Sequence, residues 1–484
     1  MKPITDFFNR RPMVGGACGA ALAVLLGRLL PWWGDLLLAL PLLALGVVWM
    51  LRRNGWAYLP LLLALVLLRM APIPVDTVTA GDYQVAGRVS EIPESTARRT
   101  YFTIEDVTLD GVAIDTKLSV KAPKTETLRY GDAVTMEAAV LPNNDQDEAR
   151  YTGVCGEATA KESPVVSGTS NDLRGWFLSG KDGFKRALDA LFLEQAGNAR
   201  GILLGDRSGM DYALRQQYTR NGVLHIFAVS GLHVTLLTGL LGAAVFIRNR
   251  KVGMLLLLAF LTFYCAITSF TPSVLRAAFL LVAVRICRSL ERQIDPLTTF
   301  SFTFAAVLLV SPYSLYQVGF QLSFAAAGGM MLLNKPLTRI VPLPRGKIRS
   351  AVVGAIGANL GTLPLLGTYF GAYAWMAIPM SVLLIPIMPI VLLFGFLAML
   401  LYGAWPWAAR VLAYLPHLAL TYLDKLTAWL DFAPLTLKAP HPIVTALWFI
   451  ALLFCSPFFL KNSKRPPYLG LGLAAVSILL WILL

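Results

Sequence analysis

The sequence predicts a polytopic α-helical membrane protein of about 13 helices, with a small all-β domain inserted outside the membrane. Of its 484 residues, 56% are hydrophobic and only 14% are charged. The mean hydropathy is +0.62. Soluble globular proteins carry about a quarter charged residues, so this composition excludes an ordinary soluble protein. A long polar stretch after the third apolar run predicts the inserted domain.

Thirteen apolar runs account for the helical part. The apolar core of a bilayer needs roughly 20 residues of helix to cross it. Pro379, Pro386 and Pro389 fall within one run, where we expect a broken, kinked or re-entrant segment. The runs are 13–31, 35–51, 56–71, 222–247, 252–270, 273–290, 297–311, 313–333, 350–370, 374–402, 405–423, 443–460 and 467–484. The predicted parts of the chain are transmembrane helices at 1–75, the polar domain at 76–170, an amphipathic interfacial segment at 171–221 and a transmembrane domain at 222–484.

Basic residues in the connecting segments predict the orientation. Short cytoplasmic loops are enriched in Lys and Arg. With thirteen spans, the basic clusters at 2–11, 52–53, 248–251, 285–292, 335–349 and 461–465 all fall on one side. We therefore expect a cytoplasmic N-terminus, retained as an anchor, and an extracytoplasmic polar domain. The net charge of +14 is then chiefly a signal of topology.

The polar domain reads as five short strands. Alternating polar and apolar residues, separated by Gly, Asn and Asp turns, are typical of strands. The predicted strands are Tyr83–Glu91, Arg99–Thr108, Val112–Ala122, Arg129–Leu141 and Arg150–Ala160. Five strands in a domain of this size fit an OB-like barrel, a fold that binds single-stranded nucleic acid or oligosaccharide.

The charge of residues 76–165 limits what this domain can bind alone. Nine Lys and Arg stand against sixteen Asp and Glu, a net of −7, whereas a barrel that binds DNA strongly should carry a basic groove. Four residues are candidates for a local DNA contact: Arg88, Arg98, Arg99 and Tyr101. The alternative is that Tyr101 and Phe102 merely alternate between surface and core.

The densest pattern of polar residues and glycines lies at 200–235. His225 and His233 would be about 12 Å apart on one helix, too far to share a metal. Ser230 and His233 share a helical face, so a serine hydrolase is conceivable if Asp206 or Asp211 orients the histidine. Histidines that merely pack between helices are the structural alternative. Polar groups at membrane depth usually face a bundle interior or a water-filled path, which is the interpretation we prefer.

Further polar residues recur in later apolar runs. Arg276 opens one run, and Gln321 and Ser323 lie in another. Arg276 could instead snorkel to the outer interface. Several glycines predict close helix approach: Gly328, Gly329, Gly354, Gly357 and Gly361. No Cys and His cluster and no P-loop motif are present, so we expect no metal, no cofactor and no ATPase activity.

Three stretches resemble the ComEC family of competence proteins, which are polytopic DNA-uptake channels. They are "LLGDRSGMDYALRQQYTRNGVLHIFAVSGLHV", "TPSVLRAAFLLVAV" and "SPYSLYQVGFQLSFAAAGGMMLL". The resemblance implies a channel in the bacterial inner membrane that passes one strand of DNA into the cytoplasm during natural transformation. The residues implied in the DNA path are Asp206, Arg207, His225, Ser230, His233, Arg276, Gln321 and Ser323. Arg207 would contact the phosphate backbone of the DNA, and Asp206 would hold either the loop or the Arg207 side chain in position.

One departure from the family bears on enzymatic activity. Many members end in a metallo-β-lactamase-like domain, but this sequence has four histidines and no HxHxDH-type cluster. We therefore expect no nuclease activity from these residues. Single-stranded DNA and membrane lipids are the expected partners, together with a separate nuclease, a DNA receptor and a cytoplasmic motor or helicase. The alternative function is a transporter or flippase for another anion, such as a lipid-linked glycan.

Overall fold

The computed structural model shows a mostly helical chain with one small β-barrel-like region. The residues that it describes are 11–29, 32–51, 58–70, 78–91, 93–95, 99–125, 128, 130–143, 153–169, 173–207, 209–244, 250–268, 271–289, 291, 293–384, 386–456 and 468–483. The predicted combination of a mostly helical chain with a small β region is confirmed for these residues. Arg98, one of the candidate DNA contacts, lies outside them.

Three helices precede the barrel: α1 (Pro12–Leu29), α2 (Trp32–Leu51) and α3 (Tyr58–Met70). They coincide closely with the first three apolar runs. Ala20 of α1 and Leu67 of α3 are buried in one cluster with Leu308 of a later helix. The N-terminal helices therefore pack against the second half of the chain.

Eight strands form the barrel region. They are β1 (Gly81–Val89), β2 (Glu94–Ser95), β3 (Arg99–Leu109), β4 (Val112–Ile114), β5 (Lys117–Pro123), β6 (Asp132–Pro142), β7 (Val154–Ala160) and β8 (Val165–Thr169). The single strand predicted at Val112–Ala122 is wrong, because a bend at Asp115 and Thr116 divides it into β4 and β5. The sequence did not predict β2 or β8.

Five of these strands close a ring. β1 pairs with both β3 and β6, β3 pairs with β5, and β7 joins β5 to β6. The β5–β7 pairing is parallel and the others are antiparallel. Alternate side chains fill the interior, among them Val85, Ile104 and Leu118, each with 0% exposure. The closed ring thus has the predicted number of strands, five, with β5 in place of the longer strand expected at Val112–Ala122.

The helical part after the barrel runs to the C-terminal end. It comprises α4 (Leu173–Phe192), α5 (Ala196–Leu204), α6 (Tyr212–Arg220), α7 (Gly231–Ala244), α8 (Arg250–Ile267), α9 (Pro272–Ser289), α10 (Pro296–Val310), α11 (Val318–Ile340), α12 (Lys347–Phe370), α13 (Ala377–Leu384), α14 (Met388–Leu401), α15 (Pro406–Trp429), α16 (Pro442–Cys455) and α17 (Tyr468–Leu483). The two-residue strands β9 (Ala372–Tyr373) and β10 (Leu435–Thr436) pair with each other. The largest buried cluster joins α4 to α9 with α13 to α15.

Two predicted helices begin later than expected. The run at 222–247 becomes helical only at Gly231, after a 3₁₀ turn at Leu224–Phe227. Gly222 has φ of +69°, a left-handed conformation that ends α6 and prevents a continuous helix. The run at 313–333 likewise starts with a 3₁₀ turn at Pro312–Tyr316 before α11.

The break predicted within 374–402 is present between α13 and α14, which are bent by 52°. By length and composition, α12 is the one described helix that could cross a membrane alone, and α13 with α14 would add a second if they form one span. The number of spans and their orientation stay predictions.

Close approach through glycines is confirmed at three of the five predicted positions. A Cβ atom on Gly329 would overlap the carbonyl oxygen of Gly357, and one on Gly361 would overlap that of Ala325. These contacts bring α11 against α12. Gly328 and Gly354 have no neighbour closer than 3.7 Å, so close packing does not require a glycine there.

Candidate functional site

The central motif begins with a loop that a buried ion pair fixes in place. α5 ends at Gly205, whose φ of +76° suits glycine and whose N–H bonds back to the carbonyls of Arg200 and Gly201. The next residue, Asp206, is 6% exposed. Its Oδ2 lies 2.7 Å from Nζ of Lys185 on α4. The carboxylate therefore ties the loop to α4.

Arg207 turns back onto the segment that follows α6. Its Nε donates to the carbonyl of Phe227 at 3.3 Å, and its Nη2 donates to that of Leu224 at 3.5 Å. Burial, aided by the like charge of Arg215, lowers the pKa of the Arg207 guanidinium. The side chain is half-buried and holds the loop against the 3₁₀ turn.

Ser230 and His233 together begin α7. Nδ1 of His233 lies 3.2 Å from the backbone N of Ser230 and 3.0 Å from its Oγ. An acceptor at the third helical position that bonds the N-cap N–H is the arrangement of a capping box. Because the backbone N–H can only donate, Nδ1 accepts and the ring proton lies on Nε2. Among the described residues, no carboxylate lies within hydrogen-bond reach of His233, as a hydrolase triad would require.

His225 lies apart from that pair, in the 3₁₀ turn. Its Nδ1 is 2.8 Å from the carbonyl oxygen of Gly222. A carbonyl can only accept, so this nitrogen carries the proton and Nε2 is an acceptor. The residue is exposed. The expectation that His225 and His233 stand on one helix is wrong, because α7 starts between them.

Arg276 joins three helices. From α9, its Nε donates to Oγ of Ser323 on α11 at 2.8 Å. The guanidinium carbon lies 5.7 Å from the centre of the Phe324 ring. A Cβ atom built on Gly231 would lie 3.9 Å from Arg276 Nη2, so the guanidinium also approaches the start of α7. The side chain thus points into the bundle.

Gln321 lies two residues before Ser323 and faces another direction. Its Nε2 donates to the carbonyl of Leu315 at 2.9 Å, and its Oε1 accepts from the Tyr369 hydroxyl at 2.7 Å. It therefore joins the turn before α11 to α12. The other predicted path residues fall into two groups of neighbours, and Gln321 lies in neither. Arg207, next to Asp206, bonds to the 3₁₀ turn that holds His225, whereas Ser230 and His233 lie beside Arg276, which bonds to Ser323.

The outer-domain candidates do not form one compact patch. Arg88 on β1 lies opposite Glu105 of β3, which is four residues, or roughly 13 Å, along the strand from Tyr101. Tyr101 is 38% exposed and Phe102 is 4% exposed, so they alternate between surface and core. Arg99 is exposed at the start of β3, beside the strand position of Tyr101.

A buried polar network that sequence reasoning missed joins α5, α6 and α15. The Tyr218 hydroxyl donates to Oδ1 of Asp424, and Nδ2 of Asn198 is 3.0 Å from the same oxygen. Gln217 Nε2 donates to Thr427 Oγ1 at 2.8 Å. Burial and the neighbouring carboxylate raise the pKa of the Tyr218 phenol. The one signal in the sequence was a carboxylate, Asp424, within the apolar pattern of α15.

No group of three or more His, Cys, Asp or Glu residues in the described part of the chain could hold a metal ion. The predicted path residues supply two guanidiniums, two imidazoles, two hydroxyls, one amide and one carboxylate.

Comparison with known proteins identifies the family. The model of the family described as "Competence protein" matches residues 202–462, more than half of the chain. "ComE operon protein 3" of Bacillus subtilis (strain 168) is 28% identical over 284 residues, which are 56% of this chain and 35% of that protein. "Competence protein ComA" of Neisseria gonorrhoeae is 24% identical over 349 residues, 64% of this chain and 49% of the relative.

An uncharacterized protein of Aquifex aeolicus (strain VF5) is 28% identical over 230 residues, 46% of this chain and 52% of its own length. The chain thus spans between about a third and a half of these curated relatives. No solved structure matches it. The matched region contains the loop after α5 and the segments that carry Ser230, Arg276 and Ser323. The chain belongs to the competence protein family, the ComEC-type family whose motifs its sequence resembles.

Proposed function

We propose that this protein takes part in DNA uptake for transformation, as an inner-membrane channel that passes single-stranded DNA into the cytoplasm. The family match over residues 202–462 carries the proposal. That region also contains both groups of predicted path residues, the one with Asp206 and Arg207 and the one with Arg276 and Ser323. A polyanion passes most readily where donors are present but are too weak to trap it. Ser230 and His233 supply such weak donors.

Passage requires movement of the helices. Asp206 is 6% exposed and His233 is 2% exposed, so neither side chain faces an open channel in this conformation. A strand would reach His233 only if α7 moved away from α5. Arg276 is the hinge contact we assign to this opening, because one side chain meets α11 and the start of α7.

A multi-pass topology belongs to the same proposal. The basic clusters support a cytoplasmic N-terminus and an extracytoplasmic barrel. A membrane-impermeant maleimide should label Asp110→Cys, at a barrel turn, in intact cells. It should label Arg345→Cys, between α11 and α12, only after the membrane is opened. The reverse pattern would contradict the orientation.

The decisive experiment is a transformation assay in a strain that lacks the gene. Transformants should disappear while DNA still binds at the cell surface, and the wild-type gene should restore them. Arg276→Gln should fail to restore them, whereas Arg410→Gln, at an exposed arginine of α15, should restore them. Normal transformation by the deletion strain, with no second copy of the gene, would refute the proposal.

A second candidate is a transporter or flippase for another anion, such as a lipid-linked glycan. The net charge of −7 on residues 76–165 favours it, because an acidic surface repels DNA. Protection of the barrel from proteolysis by oligosaccharide, but not by single-stranded DNA, would favour this candidate. The channel itself would use a separate nuclease, a DNA receptor and a cytoplasmic motor or helicase.

A further inference from the structure

The outer face of α6 carries an aromatic and basic surface that the polar path does not use. Tyr212, Arg215, Gln216, Thr219 and Arg220 line a shallow cavity of about 340 Å³. These five residues, called the α6 surface below, lie on one side of the helix because they recur at intervals of three and four. Tyr218, on the other side, is fully buried against Asn198 and Asp424.

The exposed ring of the α6 surface is held in place. Tyr212 is 73% exposed. Its hydroxyl accepts a hydrogen bond from Nε2 of Gln216 at 2.7 Å, one turn further along the helix. A ring fixed in this way loses little conformational freedom when another planar group stacks on it.

The cations of the α6 surface differ in how their charge is balanced. Arg220 is held by Asp431 of the segment after α15, with contacts of 2.9 and 2.5 Å. Arg215 is exposed, and within the described ranges no acidic group lies within 4.0 Å of it. The exposed positive charge of Arg215 therefore favours an anionic ligand.

We propose that the α6 surface binds single-stranded DNA, with a base stacked on Tyr212 and the adjoining phosphate bound by Arg215. This inference rests on the proposed function for the choice of polyanion. An aromatic platform beside guanidiniums is how proteins bind single strands without reading their sequence. The loop that carries Arg207, a predicted path residue, leads into α6 at Tyr212, so the surface adjoins the predicted path.

The same residues do not suit a membrane-bound helix. An interfacial helix presents a broad apolar face to the lipid. In α6, Leu214 and Tyr218 face the protein core, and the exposed side carries polar groups around a single ring. The chemistry therefore favours nucleic acid over a lipid headgroup.

The test uses the full chain in nanodiscs of phosphatidylcholine, with a fluorescent 15-mer of thymidylate followed by anisotropy. Tyr212→Ala with Arg215→Ala should weaken binding by roughly tenfold or more. Tyr212→Phe should bind like the wild type, because the ring remains. Arg215→Ala alone should reduce the slope of log affinity against log salt by about 0.7. Arg410→Ala with Tyr414→Ala is the matched control, since it removes an exposed arginine and an exposed tyrosine from α15.

Several results would overturn the inference. One is equal binding by the wild type and the Tyr212→Ala/Arg215→Ala variant, and another is no binding by the folded wild type. A third is a variant that keeps DNA binding but loses adhesion to phosphatidylglycerol vesicles, which would assign the surface to lipid. If the Tyr212→Ala/Arg215→Ala variant transforms normally while Arg276→Gln does not, the α6 inference fails and the channel proposal stands. If the deletion strain itself transforms, the proposed function fails first.

Discussion

Lys185 Nζ lies 2.7 Å from Asp206 Oδ2, and the two side chains are only 15% and 4% exposed. The pair joins α4, outside the region matched by the family, to the first loop inside it. Burying two charges is costly unless each has a partner. The position of the loop, and of Arg207 beside it, therefore depends on a helix that the motif does not include.

Breaking this pair from one side should destabilise the protein strongly. Lys185→Met leaves a carboxylate buried without its cation, which typically costs about 3–5 kcal/mol. Thermal unfolding in detergent, followed by size-exclusion fluorescence, measures the loss. Lys185→Met with Asp206→Leu should recover much of the stability, because an apolar pair can replace a buried ion pair. A single variant as stable as the wild type would refute the role.

The α11–α12 contact should tolerate no side chain at its closest point. Gly361→Ala forces a methyl group into the carbonyl of Ala325, and overpacking of this kind costs about 1–3 kcal/mol. Gly354→Ala is the matched control on the same helix, since its nearest neighbour would be 4.0 Å away. Melting temperatures should separate the two variants. Equal loss in both would show that the close contact at Gly361 does not decide the outcome.

Asp295 should make stability depend on acid pH. Burial alone would raise its pKa, but hydrogen bonds from Arg11 and Thr298 lower the pKa below its ordinary value. Arg11 contacts both carboxylate oxygens, at 2.9 and 3.1 Å, and the carboxylate caps α10 through the N–H of Thr298. Because the pKa is lower in the folded state, ionised Asp295 stabilises that state above about pH 4. This stabilisation is lost as the pH falls through the pKa of the folded state.

Two substitutions of Asp295 separate the effect of its charge from the effect of its helix cap. Asp295→Asn keeps a capping oxygen but removes the charge, so melting should stop varying with pH through this group between about pH 5 and 3. Asp295→Ala also loses the cap, worth about 1 kcal/mol. The measurement is the melting temperature of each variant across that range. If the melting temperature of Asp295→Asn varies with pH as that of the wild type does, the Asp295 carboxylate is not the cause of the pH dependence.

The capping box at the start of α7 predicts which substitutions of His233 are tolerated. His233→Gln should remain folded, because glutamine at the third helical position can also accept the Ser230 N–H. His233→Ala should lose about 1 kcal/mol, as loss of a cap does. Thermal unfolding compares them. If glutamine keeps stability but reduces transformation, the imidazole has a role beyond the cap; equal destabilisation by both would contradict the capping role.

The sequence predicted the elements that depend on local patterns. The alternation in β3 and β6 and the proline break before α14 are local features, and each is present in the structure. The motif residues were also found, because polar side chains stand out in apolar runs. The late start of α7 was missed, since Ala228 takes an extended conformation after the 3₁₀ turn and nothing in the local sequence requires it.

The partners of the polar residues could not be predicted. Arg276 and Ser323 are 47 positions apart, and Asn198 and Asp424 are 226 apart. Such pairings depend on which helices are neighbours, and apolar helices of similar composition leave that choice open. The periodicity of α6 did show a polar helix, but only its packing against α15 revealed which side remains exposed.

The Asn198–Tyr218–Asp424 network limits where an N-terminally shortened fragment of this protein can begin. The region matched by the family starts at residue 202, inside α5, so a fragment cut there would lose both Asn198 and Lys185. Such a fragment would retain Asp424 without the Asn198 amide and Asp206 without the Lys185 ammonium group. A soluble-tag fusion or a fragment for crystallisation should therefore begin before α4 at Leu173, nearly thirty residues upstream of the matched boundary.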